Sequence, residues 1–78
     1  MTKKEIAFRE WVGRQMKRAD SPDGWDYKAI RDAGAEQVGV SMSTAAAYLR
    51  KLTSAEGPYQ AEPVVKDGVS TVRIKNKP

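Results

Sequence analysis

The sequence predicts a small α+β domain, a bundle of three helices followed by a two-stranded β-hairpin. Three observations carry that expectation. Apolar residues recur at three- and four-residue steps through three separate stretches, which is the period of amphipathic helices. The junction Gly39-Val40-Ser41 divides the second stretch from the third, with a residue suited to ending a helix and one suited to starting the next. Beyond Glu56-Gly57-Pro58 the period shortens to two, the pattern of strands.

The first helix is expected at about residues 3–19, where Phe8, Trp11, Val12, Met16 and Ala19 share a stripe with Gln15. Lys3, Arg14 and Lys17 fall on its far side, either as a solvated face or as a source of phosphate contacts. Ile6 lies off the stripe, open to solvent or to a partner subunit. Gly13 costs the helix roughly 1 kcal/mol relative to alanine, so packing must hold it. Asp20-Ser21-Pro22-Asp23-Gly24 is a turn.

The second helix is expected at about residues 26–38, with Asp26 as N-cap and Trp25 and Ile30 placed as a hydrophobic staple across it. Tyr27, Ile30, Ala33 or Gly34, and Val38 would be its buried side. Gly34 either permits a close helix crossing or divides the segment; one continuous helix is the expectation. The third helix is expected at about residues 42–54. Ala45, Tyr48, Leu49 and Leu52 face the core, and Met42, Ser43, Ala46, Ala47, Arg50 and Lys51 face outward, until glycine and proline stop the helix. In the hairpin, at about residues 59–75, Lys66-Asp67-Gly68 is the turn and Pro63 marks an edge or distorted strand. Val72 and Ile74 point inward, while Thr71, Arg73 and Lys75 point out. Asn76-Lys77-Pro78 is expected to fray.

From Ala35 to Leu52 this is the layout of a helix-turn-helix. Ala35 is small where two helices cross, Gly39 takes the left-handed conformation, and Ser41 caps the helix that follows. With the first helix and the hairpin added, about residues 5–75 resemble the winged helix-turn-helix family. The strongest local piece is GVSMSTAAAYLRKLTSAEGPY, which looks like the turn, recognition helix and wing entry of bacterial winged-helix proteins. The resemblance implies one winged-helix domain over residues 1–78 that binds duplex DNA. Helix 42–54 would lie in the major groove, with the hairpin as a wing against the backbone or minor groove. Winged helices also serve as protein-docking modules.

Composition narrows the function classes. The 78 residues include no cysteine and no histidine, so disulfides, thiolate or imidazole metal sites and Cys–His or Ser–His catalytic pairs cannot be built. The 10 carboxylates are scattered, which argues against an enzyme; no cofactor or metal is expected. No apolar run reaches the roughly 18–20 residues of a membrane span. The opening Met-Thr-Lys-Lys-Glu-Ile turns charged at once, unlike a signal peptide. The expected location is cytoplasmic, and nucleoid-associated if the source is bacterial. A net charge of +4 suits an anionic partner.

The candidate DNA-contacting residues follow from the outward side of the third helix and from the hairpin. Ser41, Met42, Ser43 and Thr44 surround a helix N-terminus whose open N–H groups suit a phosphate. Ala47, like Ala46, admits close approach to the groove or simply favours helix. Arg50 and Lys51 lie about two turns on and reach a phosphate, or a guanine edge in the case of Arg50. Lys66, Arg73 and Lys75, with Lys77, crowd the tail against Asp67 alone. Lys28 and Arg31 have a weaker claim. Four to six phosphate contacts would give a log K against log salt slope of roughly −4 to −5. The competing reading is a protein–protein interaction module docking a partner helix through Met42, Ala46 and Ala47; a homodimer is left open, with Ile6 as its one hint. Single-stranded nucleic acid would need free aromatics, for which Trp25 and Tyr59 are the candidates.

Overall fold

A threonine opens the first helix. In the computed structural model, which describes residues 1–18 and 24–77, the Thr2 side-chain oxygen accepts the Glu5 N–H at 3.1 Å and its carbonyl accepts the Ile6 N–H. Helix α1 spans Lys3–Arg18 and buries Phe8, Val12 and Met16, one side chain per turn. Ala19, residues 20–23 of the expected turn at 20–24, and Pro78 lie outside the described residues.

Helix α2 (Tyr27–Val38) begins at Asp26, whose carboxylate accepts the Ala29 N–H at 3.1 Å. It is one uninterrupted helix, and of the Ala33/Gly34 pair it is Gly34 that is buried. Gly39 ends it at φ 77°, ψ 45°, its N–H bonded to the Ala35 carbonyl. Lys4 reaches across from α1 to donate to the Gly39 carbonyl at 2.8 Å, so the first helix braces the turn. Ser41, in extended geometry, then starts α3 (Met42–Leu52) by accepting the Thr44 N–H at 3.2 Å.

Helix α3 ends two residues short of the expected Ser54. The Thr53 hydroxyl donates to the Leu49 carbonyl at 2.9 Å and the Ser54 hydroxyl to that of Lys51 at 2.8 Å, so side chains satisfy the last carbonyls before another turn forms. Gly57 acts by close approach, because a Cβ there would stand 2.2 Å from the Leu52 carbonyl oxygen.

The β structure departs from the expected two strands. Trp25–Asp26 forms a short strand β1 ahead of α2, and β2 (Tyr59–Lys66) and β3 (Val69–Asn76) complete a three-stranded antiparallel sheet in the order β1-β3-β2. Two residues are too few to show a period of two, which is why β1 escapes a sequence reading. Asp67 and Gly68, both at positive φ (53° and 78°), form the two-residue turn that pairs Lys66 with Val69. Pro63 lies on edge strand β2, as its missing N–H requires.

The core gathers Phe8, Val12, Met16, Ile30, Ala35, Ala45, Leu49, Leu52 and Ile74. Tyr48, expected in the core, is half-buried, and its ring meets Phe8 at a centroid distance of 5.6 Å. Val72, expected inward, is 40% exposed, because the hairpin runs on past the helices. The helices and sheet together make a winged-helix-like arrangement, with the hairpin as its wing.

Candidate nucleic-acid interface

Burying Ala45, Leu49 and Leu52 turns Ser43, Ala47, Arg50 and Lys51 of α3 to the outside. Ala46, expected there too, is half-buried. The eleven residues of the helix include no carboxylate. At its N-terminus Ser41 is fully engaged: it accepts from the Thr44 N–H, donates to the Thr44 hydroxyl at 2.9 Å and lies 3.2 Å from that of Ser43. Thr44, half-buried, is thereby committed to the cap. The N–H groups of Met42 and Ser43 precede any carbonyl the helix can offer them and stay open. Met42 itself is 51% exposed.

The two cations of α3 differ. Arg50 is exposed, and its guanidinium has no partner among the described residues. The Lys51 ammonium lies 3.5 Å from the Glu5 carboxylate, with the lysine 72% and the glutamate 12% exposed, a loose pair held from the lysine side by solvent. At that distance the lysine end of the pair stays open to solvent.

The hairpin cations are largely committed to the fold. Arg73 donates to the Gly24 carbonyl at 2.6 Å and lies in register between Asp26 of β1 and Glu62 of β2. Lys75 pairs with the Glu62 carboxylate at 2.8 Å. Lys77 donates to the Ser54 and Ala55 carbonyls at 2.9 and 2.8 Å, fastening the end of the sheet beneath α3. Of the four cations in the tail, Lys66 at the tip is the one with no partner among the described residues. The outward face of the sheet therefore alternates in charge and largely neutralises itself.

Trp25 and Tyr59, the aromatics expected to be free, both pack against the core. Burial pushes the Tyr59 hydroxyl above its ordinary pKa, and the nearby Arg9 charge offsets part of that shift. Neither ring is a free stacking platform. Among the described residues no group of three or more acidic side chains is placed to hold a metal ion, and no helix is long and apolar enough to cross a membrane.

Two features of this surface escape the sequence reading. The Lys4 clamp on Gly39 joins residues 35 positions apart and has no local signature. The Thr2 cap did have one, since Thr2-Lys3-Lys4-Glu5 carries the spacing of a capping box. Compared with known protein families, with curated proteins and with solved structures, the chain gives no significant match.

Proposed function

We propose that the chain is a double-stranded DNA-binding winged-helix domain, acting in transcription regulation or another DNA transaction. Helix α3 enters the major groove and the tip of the β2–β3 hairpin rests on the backbone. The observation that carries this reading is the exposed edge of α3: open N–H groups, small side chains at Ser43 and Ala47, an Arg50 with no partner among the described residues, and no carboxylate in the helix itself. A groove wall of phosphates is attracted by that surface, on which the Glu5 carboxylate beside Lys51 is the one opposing charge among the described residues. Ser41 and Thr44 hold the helix start, whereas Ser43, Ala47, Arg50, Lys51 and Lys66 make the contacts. Arg73 and Lys75 stiffen the wing more than they touch DNA. With few long polar side chains on α3, binding tolerates changes of sequence.

The second reading, a protein-docking module, is favoured by the exposure of Met42 and by the neutralised sheet face. An amide chemical-shift map during titration with duplex DNA separates the two. Shifts concentrated in residues 41–51 and at the hairpin tip support DNA binding; shifts centred on α1 contradict it.

A further inference from the structure

The sheet has an open slot beside β1. A two-residue turn makes Lys66 and Val69 a hydrogen-bonded pair. Counting by two, the N–H and C=O groups of Val69, Thr71, Arg73 and Lys75 point toward β2, and those of Ser70, Val72 and Ile74 point the other way. Strand β1 fills that other side only opposite Ile74 and Arg73, and the chain then turns away into α2. The backbone groups of Ser70 and the N–H of Val72 are left facing a space with no strand in it.

That space is a groove of about 380 Å³ between the first turns of α2 and the distal half of the hairpin, and no residue of α3 lines it. Tyr27, Pro63 and Val72 give it an apolar floor, with Lys28 and Arg31 along the helix wall. Lys28 is exposed and has no ion pair among the described residues; Arg31 is held by Asp32 through a single 2.8 Å contact. The Asp26 carboxylate, the one acidic group lining the groove among the described residues, is turned to the Ala29 N–H at the helix start.

We propose that this slot docks an extended acidic segment of a protein partner, which continues the line of β1 and pairs with the Ser70–Val72 edge of β3. Unpaired backbone groups select an extended chain, Val72 and Pro63 accept an apolar side chain on alternate residues, and the lysine and arginine select carboxylates between them. The site is separate from the α3 surface, so one molecule carries DNA and partner together.

The test uses the full chain and a hexapeptide of alternating glutamate and valine as probe, followed by amide chemical shifts and hydrogen exchange. The expected result is shifts at Lys28, Ser70 and Val72, with slowed exchange at the Ser70 and Val72 amides. A lysine–valine hexapeptide gives none of this. Of two probes N-methylated at alternate residues, one loses binding and the other keeps it, because only one row of amides faces β3. Lys28→Glu weakens the probe roughly fivefold, and the Arg50→Ala/Lys51→Ala double variant leaves it unchanged whatever that variant does to DNA. The proposal is overturned if both N-methylated probes still bind or if the probe perturbs α3 instead. It is equally overturned if duplex DNA displaces the bound probe, or if dilution alone shifts the Ser70 and Val72 amides, which would assign the slot to DNA or to a second copy.

Discussion

Gly34 of α2 lies directly against the Phe8 ring of α1: a Cβ built on the glycine would stand 2.5 Å from the ring's Cε2. The two helices can cross this closely only because that Cβ is absent. Gly13 of α1 differs, since a Cβ there would stand 3.6 Å from the Tyr59 hydroxyl, an ordinary contact. The same substitution therefore has opposite signs at the two positions. Gly34→Ala forces Phe8 off its seat and is expected to destabilise by about 1–3 kcal/mol, set against a helix-propensity gain of about 1 kcal/mol. Gly13→Ala keeps that gain and is expected to stabilise by about 0.5–1 kcal/mol. Urea unfolding of the two variants checks both signs.

Ser41 is the hinge of the candidate interface. Its hydroxyl holds the Thr44 N–H and the Thr44 hydroxyl together. Ser41→Ala is expected to cost about 1 kcal/mol, and Ser41→Asp, which keeps the acceptor, much less. If the cap also orders the end of α3 that meets DNA, Ser41→Ala weakens duplex binding under conditions where the domain stays fully folded. Thermal unfolding and binding measured on the same samples separate the two effects.

The Tyr59 hydroxyl gives the fold an alkaline limit. Burial raises its pKa in the folded state, so above the ordinary tyrosine value of about 10 the unfolded chain loses its proton first. Proton loss that favours the unfolded state makes stability fall as pH rises through that value and on to the folded-state pKa; below it the contribution is constant. Tyr59→Phe removes this component. Denaturant unfolding between pH 9 and 11 is expected to show a shallower decline for the variant than for the parent, and parallel curves would contradict the assignment.

The wing cations are expected to divide by their partners. Lys75→Gln breaks the Glu62 pair on the sheet and leaves duplex affinity nearly unchanged, whereas Lys66→Gln at the free tip lowers it and reduces the salt slope by roughly 0.9. Anisotropy titrations at several salt concentrations measure both. With Arg73, Lys75 and Lys77 committed within the fold, the slope expected of the parent domain is nearer −3 than the −4 to −5 implied by counting basic residues.

What the sequence reveals here is whatever short-range rules determine. Gly39 and Ser41 specify the ends of two helices within three residues, and Asp67-Gly68 specifies the hairpin register, so these features are legible and correctly placed. Strand β1 is not, because its two residues become a strand only through pairing with Ile74 and Arg73, almost 50 positions away. The end of α3 is missed for a different reason. Gly57-Pro58 is a strong stop signal, but Thr53 and Ser54 act before it through hydroxyls bonded back to the helix. The exposed edge of α3 is readable from period, Ala46 apart. The fate of the wing cations is not, since a lysine or arginine bound to a distant carbonyl or carboxylate reads the same as one facing solvent.

The central claim, that the outer edge of α3 binds duplex DNA, is tested most directly by the salt dependence of duplex binding for the parent domain and for Arg50→Ala/Lys51→Ala. The double variant is expected to bind more weakly, and its log K against log salt slope to shrink by roughly 2, the loss of two phosphate contacts. Unchanged affinity and an unchanged slope in the folded double variant would contradict it.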